Sequence, residues 1–380
     1  MQEASRLEHI NEYYFAHKLR EVRQLIQAGK PIINLGIGNP DLPPPIEAQF
    51  ALIESGASEK NHGYQPYRGL TEYREAIAGF YKKYYTVSLN HESEILPLAG
   101  SKEAVMHISM AFLNAGDEVL IPDPGYTTYT SVTRLVGAKP VYYNLSENNA
   151  WLPDFSEIEK LNLEKIKIMW VNYPNMPTGA KASLDDFEKI IKFAKRHNIL
   201  IINDNPYSFI LNDTPLSIMQ IHGSKDVALE LNSLSKSFNI AGWRLGMLIG
   251  KQSYLDAVLK IKSNMDSGMY YGLQKGGIAA MQLDQSWFEN LNATYKKRRE
   301  ILWKILDKLN YSYDKNAVGL FVWAKLPKGE NSEEVSDNLL YNKNIFVTPG
   351  SIFGANGTGH LRFSLCTNET ELKNALQRVE

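Results

Sequence analysis

At 380 residues the chain is long enough for two domains and a large buried core. Its 44% apolar and 22% charged residues are ordinary for a globular protein, and a net charge of −1 gives no reason to expect nucleic acid or an anionic membrane as a partner. A single cysteine, Cys366, reads as a core residue, excludes an intramolecular disulfide framework and fits a reducing, cytoplasmic setting. No apolar run reaches the roughly 18 residues of a membrane span, and the N-terminal residues do not read as a signal peptide.

In chain order, residues 6–28 carry apolar side chains at helical spacing and end at Ala28-Gly-Lys-Pro31, a stop signal. Ile32–Leu35 reads as a short strand running into the turn-forming segment Gly36-Ile-Gly-Asn-Pro-Asp41. Pro43-Pro-Pro45 opens a helix, and a second helix is expected over about Leu70–Tyr84, after the aromatic loop His62–Gly69. From about residue 95 to 250, short apolar runs alternate with helical stretches. Strands are expected at Ile95–Leu98, Glu118–Ile121, Lys139–Leu145, Ile166–Val171, Ile199–Ile202, Val227–Leu231 and Arg244–Ile249. Helices are expected over 102–114, 126–136, 185–197 and 252–263. Such alternation predicts an α/β fold, a three-layer sandwich whose seven-stranded, mainly parallel sheet is covered on both faces. Residues 287–309 read as a long charged helix. An antiparallel-looking pair of strands, Gly319–Ala324 and Ile345–Thr348, then brackets a further helix. The expected division is a large domain over 45–285, with an N-terminal arm and a smaller α+β domain from 1–44 and 286–380.

The chemistry-bearing residues fall just after expected strands, where open α/β sheets bind ligands. Ser233, Ser235, Lys236 and Arg244 follow the run Val227–Leu231. Short hydroxyls and a guanidinium fork suit a phosphate, and a lysine beside cationic or desolvating neighbours can lose its proton and attack a carbonyl. Gly100, Ser101 and Lys102 open a helix, whose N–H groups and dipole favour an anion. Asp204 ends a buried strand, and Arg362 lies in His360-Leu-Arg-Phe-Ser364. Taken singly, each has a plainer reading: a solvated loop, a helix cap, a turn aspartate, a salt-bridging arginine. No metal-ligand cluster, Ser/His/Asp arrangement or internal repeat is visible in the sequence.

Taken together, these segments resemble the class I aminotransferases, pyridoxal phosphate enzymes of fold type I, in order from about Ile32 to Phe363. The resemblance implies pyridoxal 5'-phosphate joined as an imine to Lys236, its phosphate held by Gly100, Ser101, Lys102, Ser233, Ser235 and Arg244. Tyr126 would stack on the pyridine ring. Asp204 would pair with the protonated ring nitrogen, and Tyr207 would reach the phenolic oxygen. Gly38 and Arg362 match positions that meet the substrate carboxylate. Tyr64 matches a tyrosine that reaches a neighbouring subunit's phosphate, so the resemblance implies a homodimer with shared sites, and it places the loop Ser263–Gly268 near the partner's phosphate. One departure stands out. In Asn172-Tyr-Pro-Asn-Met-Pro-Thr-Gly179, Met176 holds the place of the asparagine that donates to the phenolic oxygen. Asn175 sits one position earlier, and whether it supplies that cofactor contact is left open.

The implied activity is ping-pong transamination between an L-amino acid and a 2-oxo acid, with Lys236 as the base and Asp204 and Tyr207 supporting it. Several segments look most like the group using LL-diaminopimelate, with its alanine, aspartate or methionine-using relatives. A C–S β-lyase of the same fold would keep the same lysine and aspartate, and would release pyruvate and ammonia with no oxo-acid acceptor. A non-enzymatic regulator usually carries a DNA-binding extension, for which no segment is available.

Overall fold

The structure is a computed structural model that describes residues 2–8, 10 and 14–380. All seven expected strands of the central region form and join one sheet. Across it they run in the order Ile95–Leu98, Gly246–Ile249, Ala228–Ser233, Leu200–Asp204, Ile166–Val171, Glu118–Asp123, Lys139–Asn144. The five strands from Ala228–Ser233 to Lys139–Asn144 are parallel. Gly246–Ile249 is antiparallel to both its neighbours, so it alone is reversed.

Why these runs are strands follows from their burial. Ile95–Leu98, Ala228–Ser233 and Gly246–Ile249 are buried at every position, as strands covered on two faces must be. Successive side chains alternate between two cores. Leu96, Ile168, Trp170, Ile202 and Leu248 pack with the helices Ser101–Phe112, Thr127–Leu135 and Gln252–Lys262. Ile95, Met169, Val171, Ile201 and Met247 pack on the other side, with Thr71–Tyr85, Leu184–His197 and Tyr271–Met281. The predicted three layers are therefore present.

A third core joins the long helix Gln285–Lys308 and the C-terminal helix Glu369–Val379 to a four-stranded antiparallel sheet. Its order is Thr348–Pro349, His360–Ser364, Phe321–Lys325, Ser312–Tyr313. Here the expected pairing of Gly319–Ala324 with Ile345–Thr348 is corrected. Those two segments do not touch as strands; His360–Ser364 lies between them and pairs antiparallel with both Phe321–Lys325 and Thr348–Pro349. The helix Ser332–Lys343 carries the chain across, which leaves its flanking strands pointing the same way. Ile345–Phe346 instead pairs in parallel with Ile33–Asn34, tying the loop that follows Asn34 to this sheet.

Boundaries moved for local reasons. The strand expected from Arg244 starts at Gly246, because Arg244 is left-handed at φ 58°. The helix expected over 6–28 spans Tyr14–Gln27, with a separate short turn at Ser5–Leu7; residues 11–13 lie outside those described. Among the described residues, no helix is long and apolar enough to cross a membrane.

One buried charge organises the strand that leads into Ser233. Glu230 is wholly buried and accepts from Tyr81 Oη (2.9 Å), Ser217 Oγ (2.7 Å), Asn203 Nδ2 (3.0 Å) and the Ile218 amide (3.0 Å). Replacing it with an apolar side chain leaves buried donors unmet. Glu230→Leu is expected to lower unfolding stability by about 2–4 kcal/mol in urea titration. A loss below about 1 kcal/mol would show that water or rearrangement meets those donors instead.

Candidate active site

Six of the seven strands point their carboxyl ends at one edge of the sheet, and the reversed strand begins there, with Gly246 opposite both Leu98 and Ser233. The segments after Leu98, Val171, Asp204 and Ser233 therefore converge with the segment before Gly246. A cavity of about 390 Å³ opens at this edge. It is lined by Gly38, Ser101, Lys102, Tyr126, Asp204, Tyr207, Ser233, Ser235, Lys236, Arg244 and Arg362 from the sequence-predicted set.

One end is built for an anion. Gly100 caps the helix Ser101–Phe112 at φ 88°, ψ 159°, a backbone region essentially reserved for glycine. A Cβ at Gly100 would run into the Arg244 guanidinium, which lies across it. Arg244 Nη1 donates to Ala241 O (2.9 Å), and its left-handed backbone turns the side chain back over the helix start. Gly246 is also required: a Cβ there would stand 2.8 Å from Gly100 C and from Ser101 N. The hydroxyl of Ser233 caps the next turn, accepting from the Ser235 amide at 3.1 Å, and donates to Ser235 Oγ at 2.9 Å. Lys102 lies beside Arg244, and burial together with that guanidinium holds its ammonium below the usual lysine range.

The middle of the cavity holds Lys236 and Asp204. Lys236 Nζ donates to Gly38 O at 2.6 Å. Burial, with added repulsion from Arg362 and Arg244, holds its ammonium below the usual lysine range. Asp204 is pushed up to about 6 by burial, against which Tyr129 Oη donates to Oδ2 at 2.8 Å. Asp204 Oδ1 is buried with no hydrogen-bond partner among the described residues. Asn172 Nδ2 donates to the Asp204 main-chain oxygen (2.5 Å), which fixes the strand end.

At the far end Arg362 lies over the Phe321 ring (3.9 Å) and near Phe353 (4.8 Å), with Nη2 donating to Gly36 O at 2.8 Å. Its Nη1 contacts Met176 Sδ at 3.2 Å. Tyr207 meets Phe321 edge-on at 5.9 Å. Leu19 and Ile37 add apolar walls.

Three predicted residues lie elsewhere. Asn175 is buried but does not line the cavity; its Oδ1 accepts from Thr178 Oγ1 (2.7 Å), and it is Met176 and Asn172 that face the space. Asn175 Nδ2, the donor that a substitution for the missing asparagine would need, is buried with no hydrogen-bond partner among the described residues. Tyr64 is 93% exposed and outside the cavity lining. Gly100 stands behind the lining as the helix cap. Sequence reasoning missed Tyr129, Asn172, Gly246 and Phe321. Only Gly246 carried a signal, as a glycine at a strand start, where a second backbone approaches. Outside the cavity lining, Glu103, His107 and Asp266 lie with ligand atoms within 4.8 Å of one another, but Lys262 Nζ already pairs with both Asp266 oxygens at 2.6 and 2.9 Å.

The geometry defines a class: a fold-type I sheet with an amine, a buried acid and an anion cup on one cavity. The sequence pattern described as "aminotransferase class I and II" matches residues 30–379, and the chain belongs to this family. It is 39% identical to LL-diaminopimelate aminotransferase 2 of Trichormus variabilis, over 100% of this chain and 98% of that protein. It is 37% identical to the LL-diaminopimelate aminotransferase of Aquifex aeolicus, over 99% and 98%. Substrate-bound BacF from Bacillus subtilis has a TM-score of 0.95 to this structure at 36% identity, covering 100% of this chain and 97% of that one. This is an aminotransferase, and pyridoxal phosphate is the cofactor its family implies. The cavity fits that group: the unpartnered Asp204 Oδ1, the glycine-lined cup and the depressed Lys236 amine match its basic nitrogen, phosphate and aldehyde.

Gly100→Ala is expected to strain the backbone by about 1–3 kcal/mol and to displace Arg244. Equilibrium dialysis should then show pyridoxal phosphate affinity reduced by on the order of tenfold, alongside a lower Tm. Unchanged affinity would contradict the cup assigned to Gly100 and Arg244.

Proposed function

We propose that this protein moves the amino group of an L-amino acid to a 2-oxo acid with pyridoxal 5'-phosphate, LL-diaminopimelate being the amino donor to which its relatives point. The observation that carries this reading is the placement of Lys236, with its lowered ammonium, on the same cavity as Asp204 and Arg362. Residues 45–285 would hold the cofactor, and 1–44 with 286–380 would supply the substrate-facing unit.

In this reading Ser101, Lys102, Ser233, Ser235 and Arg244 bind the phosphate, and Asp204 faces the ring nitrogen. Tyr126 would cover the ring, Tyr207 would reach the phenolic oxygen, and Lys236 Nζ would hold the aldehyde carbon. When bound, the cofactor supplies an electron sink for charge developing at the substrate α-carbon. Arg362 binds the α-carboxylate through a guanidinium already stripped of water by Phe321 and Phe353. Once the substrate's amino group had displaced it from the aldehyde carbon, Lys236 Nζ, lowered by burial and so more readily the free amine, would take the proton from the α-carbon and deliver it to that aldehyde carbon. The Gly38 carbonyl fixes where Nζ sits, and Leu19, Ile37 and Phe321 exclude water.

A homodimer is part of the proposal. Helix Ile46–Ala57 exposes Ile46, Phe50 and Ile53 in one stripe, at 54%, 63% and 66%, and Met265 and Tyr64 are exposed as well. Covering that face with a second copy would bury the stripe and offer each Tyr64 to the other copy's anion cup.

The test is a half-reaction screen. Holoenzyme mixed with LL-diaminopimelate should shift its visible absorbance to the amine form and release one equivalent of oxo acid, more readily than with L-alanine or L-aspartate. Response to those two but not to LL-diaminopimelate overturns the substrate. Pyruvate and ammonia formed catalytically from L-cystathionine, with no oxo-acid acceptor, would replace transamination with C–S lysis.

A further inference from the structure

Tyr129 has no role in the reading so far, yet it makes the one side-chain hydrogen bond on the Asp204 carboxylate among the described residues. Both residues are buried, Tyr129 completely. The tyrosine ring is clamped. Trp170, also wholly buried, stacks on it at 4.6 Å and 8°, and the Tyr126 ring meets it edge-on at 5.4 Å and 88°. With its ring gripped on two sides, the hydroxyl has little freedom to leave Asp204 Oδ2, 2.8 Å away. Asp204 in turn is anchored at its main-chain oxygen by Asn172. The carboxylate is thus held at both its backbone and one oxygen, and the second oxygen remains to face a ligand.

We infer that Tyr129 is the positioning residue for Asp204: its hydroxyl pins Oδ2, keeps the group ionised, and so reserves Oδ1 for the ligand in the cavity. This rests on the proposed function. The direction of transfer is fixed, because burial and the Asp204 charge push the Tyr129 phenol well above its usual range, so its proton stays on the tyrosine. Donation to a carboxylate favours the charged form and opposes the desolvation that raises Asp204. The other titratable groups around the pair are Tyr126 and Tyr207, with Lys102, Lys236, Arg244 and Arg362 on the same cavity. None of these makes a hydrogen bond to the Asp204 carboxylate.

Tyr129→Phe removes the hydroxyl and keeps the stacked ring. Two readouts separate positioning from simple packing. In the apoprotein, an acid raised on folding costs stability as pH climbs from its unfolded value through its folded one. Wild type should therefore lose stability relative to Asp204→Asn between about pH 4 and 6. In Tyr129→Phe that window should extend upward by about one to two pH units, and in the Asp204→Asn background the same change should move nothing. In the holoenzyme, kcat for the amino donor should fall by on the order of tenfold, with KM within about twofold. An unmoved pH window, or an unchanged kcat, overturns the inference while leaving the functional reading in place. Wild-type protein that takes up no pyridoxal phosphate overturns both. If Tyr129→Phe does not fold, NMR of the wild-type apoprotein decides. A slowly exchanging Tyr129 hydroxyl proton whose shift follows the titration of Asp204 supports the inference, and a hydroxyl indifferent to that titration rejects it.

Discussion

The constraint on which the rest depends is the reversal between Ser233 and Gly246. A parallel strand delivers Ser233 to the carboxyl edge of the sheet, and an antiparallel one carries the chain away from the same edge. Everything between is therefore trapped over the sheet end: two serines, Lys236 and Arg244. The return strand lies between Ala228–Ser233 and Ile95–Leu98, so its first residue meets the start of the Ser101–Phe112 helix. Only a glycine at 246 allows that approach, and only a glycine at 100 allows Arg244 to lie across the helix cap. Two chain segments more than a hundred positions apart become one anion site through two absent side chains.

Charge explains what such a site is for. Lys102, Lys236, Arg244 and Arg362 share the cavity with a single carboxylate among the described residues, Asp204. Positive charge gathered on one cavity draws anions to it. The arrangement suits a ligand with a phosphate at one end and a substrate carboxylate at the other. One consequence is visible before any ligand binds: burial and mutual repulsion lower both lysines, and lowering is what turns Lys236 from a surface-type cation into a usable amine. Asp204 is the counterweight. Raised by the same burial, it is restrained by one tyrosine, so its ionisation is set by a contact rather than by water.

Much of this was legible in the chain. Ile166–Val171 and Ile95–Leu98 are strands at their expected limits, and the residues after them line the cavity, because apolar runs of strand length with polar ends leave little other choice. Lys236, Arg244 and Arg362 were readable because their residue types carry the chemistry. What escaped reading depends on distant pairing. Tyr129 looks like any aromatic in an amphipathic helix until its strand order places it against Asp204. The placement of His360–Ser364 between two other strands cannot be inferred from local pattern, since pairing partners are chosen in three dimensions. Asn175 shows the limit of neighbouring position: its Nδ2 is buried with no hydrogen-bond partner among the described residues, yet the residue is not part of the cavity lining, which only the folded loop decides.

Two lysines lowered by burial stand on this cavity, Lys102 and Lys236, and only one is placed to hold the cofactor's aldehyde. Borohydride reduction of the holoenzyme, followed by peptide mapping, separates them. The account predicts a pyridoxyl label on Lys236 alone, lost in Lys236→Ala without transfer to another residue. A label on Lys102, or one that persists in Lys236→Ala, would contradict it.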